Sequence, residues 1–270
     1  KANYRLILID ARGHGQSDKP HDVAAYALPQ QVGDVVAVLD KLGIEKAHFF
    51  GYSMGATIGW AFTKYAPERL LSLIIGGDAP ENYDPVDDIA GIRGLGIEGW
   101  GQMAADLIGS YGFPQAATAQ IYQVYAANDL NAVIADVTAF SAENFAEGLT
   151  GMTMPILLLA GTEDPDHDAM AAAAKKLPHA HFVSLSGFDH VKAMVQTELI
   201  VEQINQFLAE GQKTALDEAT VTQIETILTE TMQAVNVPGY AMCIVKDGNV
   251  VYNKGFGVTN LGSNQAVTPQ

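Results

Sequence analysis

Two rhythms of apolar residues alternate along this chain. Short, largely apolar runs of strand length recur at 4–9 (YRLILI), 47–50 (AHFF), 70–75 (LLSLII), 156–160 (ILLLA) and 181–185 (HFVSL). The most continuous of them suit strands buried on both faces of a sheet. Between the runs the period becomes helical. Residues 28–42 place Leu28, Val32, Val35, Val36, Leu39 and Leu42 on one face, with Gly43 as a C-terminal stop. Further helices are predicted from about 54 to 65, broken by Pro67, at 168–177, and at 191–208, which carries Val195, Leu199, Ile204 and Phe207. Strands alternating with helices predict an α/β fold, a mostly parallel sheet flanked by helices. The alternation lapses between about 79 and 154, a Gly- and Ala-rich, weakly helical stretch where a helical lid insert is expected.

After residue 210 the pattern changes. Residues 210–214 (EGQKT) read as a polar linker. An amphipathic helix at 216–235 then ends at Pro238-Gly239, and β-rich runs at 240–245 and 250–256 flank Asp247-Gly248. Asp-Gly between two such runs predicts a hairpin. The chain therefore divides into 1–211 and a partial α+β segment, 212–270, too small to be stable alone. It opens on Lys1 without a Met and stops at Gln270 in mid-pattern, which reads as an internal fragment and leaves targeting signals open.

The chemistry concentrates in Gly51-Tyr52-Ser53-Met54-Gly55, between a predicted strand and a predicted helix. This turn forces the central serine into a strained conformation and lifts its hydroxyl above the sheet, with glycines on either side to avoid collisions. A serine hydroxyl needs a base, and the base needs an orienting acid. Asp164 follows the run 156–160 and His190 follows the run 181–185, so both are expected at carboxyl ends of parallel strands, where open sheets place their sites. Asp78, after the run 70–75, is the rival acid. Trp60, Trp100, Tyr111 and Phe113 are candidates to line an apolar acyl pocket, with core packing as the alternative for each.

Other groups read more blandly. His14 is expected to tie down its own loop, and Asp189 to be a loop or cap residue. Asp164, Asp166, His167 and Asp168 resemble a metal set, but a turn with Asp168 capping the next helix accounts for them. Gly94-Leu95-Gly96-Ile97-Glu98-Gly99 fits G-x-G-x-x-G, yet no strand precedes it and Glu98 would repel a pyrophosphate, so a flexible lid is the better reading. No metal or cofactor is implied.

Composition narrows the partners. The formal charge of −16 argues against nucleic acid and anionic membrane surfaces. No run approaches the roughly 18 apolar residues of a membrane span. The single cysteine, Cys243, sits in an apolar strand and is expected to be an inert, buried thiol.

With these motifs in view, the first 211 residues resemble the α/β-hydrolase family, most closely its small esterase, lactonase and haloperoxidase-like members. The residues that carry the likeness are DARGHGQSDKP at 10–20, GYSMGA at 51–56, GTEDP at 161–165 and GFDHV at 187–191. The resemblance implies Ser53 as nucleophile, His190 as base, Asp164 as acid and the Met54 N–H as one oxyanion donor. It implies hydrolysis of a small ester or lactone through an acyl-enzyme. A hydrolase-fold ligand-binding module or a haloperoxidase-like perhydrolase is the alternative. The serine argues against the dehalogenases and epoxide hydrolases of this fold, which use an aspartate at the elbow. The family's second oxyanion donor, and a strand that lies between the 4–9 run and the elbow strand, are not in this chain. Residues 237–269 resemble the opening of the serine beta-lactamase and penicillin-binding-protein family, whose catalytic motifs would lie after Gln270. The parent is therefore expected to be a fusion of two serine hydrolases.

Overall fold

The computed structural model describes residues 4–268 except 82–83, 141–142, 178, 215, 217, 236, 247–248, 261 and 263–264. The chain divides into two compact units, Lys1–Gln203 and Ile204–Gln270.

The first unit is built on four parallel strands in the order β1 (Ala47–Tyr52), β2 (Leu70–Gly76), β3 (Ile156–Gly161) and β4 (Ala180–Leu185). The central pair is buried nearly throughout, because LLSLIIG and ILLLAG offer apolar side chains to both faces. On one face Leu73, Ile75, Ile156, Leu158 and Ala160 pack with residues of α1 (Leu28–Lys41), α2 (Met54–Tyr65) and α6 (His167–Lys176). Helix α1 ends as its sequence predicts. Gly43 adopts φ 69°, its N–H reaches Asp40 O, and the Ile44 N–H reaches Leu39 O. Those two bonds satisfy carbonyls that the helix end would leave open.

Residues 4–9 depart from expectation. They form no strand, and Leu6 and Leu8 are 80% and 92% exposed. The cause is a missing ladder: β1 pairs with β2 alone among the described residues, so a run beside it has no hydrogen-bonding neighbour to bury against. Phe50 of β1 is correspondingly 47% exposed.

The insert between β2 and β3 is more regular than its composition suggests. It holds α3 (Val86–Ser110), α4 (Gln115–Ala126) and α5 (Leu130–Phe140). Gly96, at φ 65° and ψ 174°, kinks α3, so the G-x-G-x-x-G stretch lies within a bent helix. The residues directly before it, 86–93, are helical, whereas a dinucleotide site needs a strand there.

The helix expected at 191–208 is interrupted. A short α7 (His190–Met194) is followed by α8 (Thr197–Thr214), with no Gly or Pro to mark the break. Helix α8 also runs through the expected linker, and the division at 203/204 precedes the predicted boundary at 211/212.

The second unit contains α9 (Glu218–Val235) and an antiparallel pair, β5 (Gly239–Lys246) and β6 (Asn249–Gly257). The Asp247-Gly248 turn predicted to join them lies outside the described residues. Tyr240 stacks on Phe256, and Glu225 of α9 accepts from Tyr252 Oη and Lys254 Nζ. Cys243 is exposed, contrary to the buried thiol expected. A two-stranded sheet turns alternate residues to opposite faces, and Cys243 falls on the more open one, with Ala241 and Val245. Among the described residues no helix is long and apolar enough to cross a membrane.

Candidate active site

Ser53 lies between the end of β1 and the start of α2, as the N-cap of that helix, and it adopts φ 52° and ψ −120°. Among the described residues it alone, glycines aside, has positive φ. That strain is the local signature of a sharp strand-to-helix elbow. Gly51 makes the elbow possible, since a Cβ there would sit 2.0 Å from the Gly55 carbonyl oxygen. Gly55 differs from expectation: a Cβ at that position meets nothing within 4 Å. The Ser53 N–H is held by Gly76 O at 2.8 Å, which fixes the elbow to the end of β2. Met54 opens the helix, and its N–H has no acceptor among the described residues.

Asp164 and His190 come together. His190 Nδ1 lies 2.9 Å from Asp164 Oδ2, and the Asp164 side chain is almost fully buried while His190 keeps 31% of its side-chain surface. The loops carrying them are stitched to each other. Glu163 N–H donates to Phe188 O, Gly187 N–H donates to Thr162 Oγ1, and Thr162 N–H donates to Leu185 O. Gly161 lets them approach, since a Cβ would sit 2.1 Å from Phe188 O. His190 also borders the elbow: its ring is 5.4 Å from that of Tyr52, and Tyr52 Oη donates to His190 O at 2.7 Å. The Ser53 hydroxyl itself makes no hydrogen bond among the described residues.

The local field favours charge on Asp164. Burial works against its ionisation, but hydrogen bonds from His190 and from the Asp166 N–H outweigh it and leave the carboxyl lowered. Its acidic neighbours move the other way. Burial pushes Asp78 up to about 8, with the charges of Asp166 and Asp164 adding to it. Burial and the charge of Asp164 likewise raise Asp166. Carboxyls driven apart in this way take different roles. The Asp78 carboxyl Oδ2 lies 3.1 Å from Thr57 Oγ1, which donates to it, and its main-chain carbonyl accepts from Trp60 Nε1, whereas Asp164 holds the histidine.

The remaining candidates separate. Trp60 is fully buried in the core, its indole N–H donating to Asp78 O. Trp100 lies edge-on to Tyr125 at 4.7 Å within the insert. Phe113 is half-buried. Tyr111 spends its hydroxyl on Asp189, 3.0 Å from each carboxylate oxygen. Asp189 is the N-cap of α7 and accepts from the Lys192 N–H, as a cap residue should. Asp168 does not cap α6: Asp166 occupies that position without a side-chain cap bond, and Asp168 is paired with His167. No metal-binding cluster is found among the described residues. His14 stays with its loop, its Nδ1 3.2 Å from Arg12 O.

Comparison with known proteins bears on the fold. Residues 1–106 match the family model described as alpha/beta hydrolase fold. The enol-lactonase from Burkholderia xenovorans LB400 superposes with a TM-score of 0.64 at 23% identity, over 74% of this chain and 78% of that one. The chain carries the α/β-hydrolase fold. A thermophilic esterase from Thermogutta terrifontis shares that hydrolase fold, with a TM-score of 0.63 at 23% identity over 74% and 78% of the two chains. In sequence, the hydrolase-fold chain is 30% identical to 3-oxoadipate enol-lactonase 1 of Acinetobacter baylyi over 175 residues, 61% of this chain and 63% of the relative. It is 42% identical to epoxide hydrolase 3 of Siraitia grosvenorii over 71 residues, 26% of this chain and 22% of the relative. The chain thus spans less than two thirds of the length of either.

Proposed function

We propose that this protein is a serine hydrolase that cleaves a small carboxylic ester or lactone through an acyl-enzyme. The observation that carries the reading is Ser53, a serine strained to φ 52° in the turn between β1 and α2, beside an Asp164–His190 pair bonded at 2.9 Å. Ser53 Oγ attacks the acyl carbon while His190 Nε2 takes its proton. Asp164 fixes the ring with Nδ1–H directed at the carboxylate, so that Nε2 is the free base. The free Met54 N–H at the helix start receives the developing oxyanion. His190 returns the proton to the leaving oxygen, and water releases the acyl group by the same steps. The lactonase and esterase names among the relatives support an acyl substrate, as does a serine at the elbow.

One observation favours a second reading. The Ser53 hydroxyl is not bonded to His190, which suits a module that holds a ligand or turns it over slowly. Apo sites often tighten only with substrate bound, so labelling decides. A fluorophosphonate probe on the full-length protein is expected to modify Ser53 and not a Ser53→Ala variant, with burst kinetics on a p-nitrophenyl ester. Labelling with no turnover supports the binding module, and no labelling defeats the hydrolase reading. For 212–270 we keep the beta-lactamase-like reading, supported by a helix followed by an antiparallel strand pair, with no catalytic residue assigned.

A further inference from the structure

His190 is held by more than its triad partner. Asp164 fixes the ring, Tyr52 Oη grips the main-chain carbonyl at 2.7 Å, and Asp189 caps the helix of which His190 is the first residue. The cap is a single acceptor, Asp189 Oδ1, bonded to the Lys192 N–H at 2.8 Å. The same carboxylate takes a fourth tie from far away in sequence. Tyr111, at the C-terminal cap of α3 in the helical insert, places its hydroxyl 3.0 Å from both Asp189 oxygens. The insert is otherwise remote in chain order from the histidine turn, with a sequence separation of 78 between these two residues.

We propose that Tyr111 is a positioning residue, the fastening by which the helical insert holds the Asp189 cap and thereby the base His190 in register. The inference rests on the Ser53 hydrolase reading above. It reassigns Tyr111 from the pocket-lining role its sequence position suggests. A hydroxyl shared between both carboxylate oxygens fixes the rotation of the Asp189 side chain, which otherwise has only the Lys192 N–H to orient it. Rotation of that side chain frees the first turn of α7, and a five-residue helix has no other turn to absorb the change. The hydroxyl stays a donor at every working pH, because burial and the Asp189 bond push its pKa up to about 12. The insert and the turn that carries the base are thereby joined through Asp189.

The test is the kinetics of Tyr111→Phe in the full-length protein on a p-nitrophenyl ester. This change keeps the ring and removes one oxygen. The expected result is a fall in kcat of about tenfold, the scale of a hydrogen bond to a charged group, with KM within about twofold. Asp189→Asn, which still accepts at Oδ1, should recover to within about threefold of the parent. Asp189→Ala should fall at least as far as Tyr111→Phe, and the double variant no further, since both act through one bond. An unchanged kcat overturns the inference, as does a rise in KM alone, which would mark Tyr111 as a substrate contact. Multiplicative losses in the double variant overturn it too. Probe labelling of Ser53 in the parent separates the two readings. A labelled parent with an indifferent Tyr111→Phe sinks only the fastening, whereas an unlabelled parent sinks the hydrolase and the fastening together.

Discussion

Asp164 meets His190 across 26 residues of chain, and it is the acidic residue of its cluster whose ionisation is favoured. Asp78 and Asp166, its carboxyl neighbours, are both driven toward the neutral form by burial. If that division assigns the roles, Asp164→Asn should lower kcat by about 10⁴-fold, the scale expected when the base is left in the wrong tautomer. Asp78→Asn should cost less than about tenfold. Steady-state rates of the two variants on one ester check this, and equal losses would contradict it.

Ser53 stores backbone strain that the elbow requires. Its φ of 52° with ψ of −120° is a conformation that only glycine adopts readily. Ser53→Gly should therefore abolish turnover while raising stability by about 1 kcal/mol, the relief of strain exceeding the entropy lost by glycine. Ser53→Ala should abolish turnover without that gain. Urea denaturation of the three proteins measures the difference.

The two glycines around Ser53 are unequal. A methyl at position 51 would overlap the main chain of Gly55 and Ala56, at 2.0 to 2.7 Å, and backbone has little freedom to retreat. Gly51→Ala should destabilise by at least about 2 kcal/mol or prevent folding. Gly55→Ala has open space and gains helix propensity, so its melting temperature should match or exceed the parent's. Thermal melts of the pair are the measurement.

The sequence made some of this legible and hid the rest for physical reasons. Ser53 could be read because its elbow is local: strand, tight turn and helix lie within about fifteen residues and each has its own period. Asp164 and His190 could be read because parallel strands deliver their loops to one edge. The run 4–9 could not, since an apolar run records only a capacity to be buried, and burial needs a neighbouring strand. Contacts between distant polar side chains leave no period at all. Nothing near Tyr111 announces Asp189, and nothing near Gln31 announces Asp136, 105 residues away.

That last pair sets an expectation for pH. Asp136, on α5, is buried and accepts from Gln31 Nε2 at 2.8 Å. Its second oxygen and the Gln31 carbonyl oxygen have no hydrogen-bond partner among the described residues, and His14 Nδ1 stands 3.8 Å off. Burial pushes Asp136 up to about 7, against the opposing effects of the Gln31 bond and of Arg12, just as burial pushes Asp78 up to about 8. Arg12 is itself committed to Asp34, and burial lowers His14, so neither supplies a full countercharge. Both carboxyls have folded pKa values above the roughly 3.9 of an unfolded aspartate, so between those limits the folded chain binds more protons than the unfolded one. Stability contributed by these protons is complete below about pH 4 and is lost as pH rises through 7 and 8. Asp164, lowered on folding, acts in the opposite sense and loses its contribution only in acid. Urea midpoints should therefore decline from pH 5 to pH 9, and the decline should flatten in Asp136→Asn and in Asp78→Asn, whose amides carry no proton to lose. A midpoint that rises over this range, or variants as steep as the parent, would show that these carboxyls are ionised in the fold.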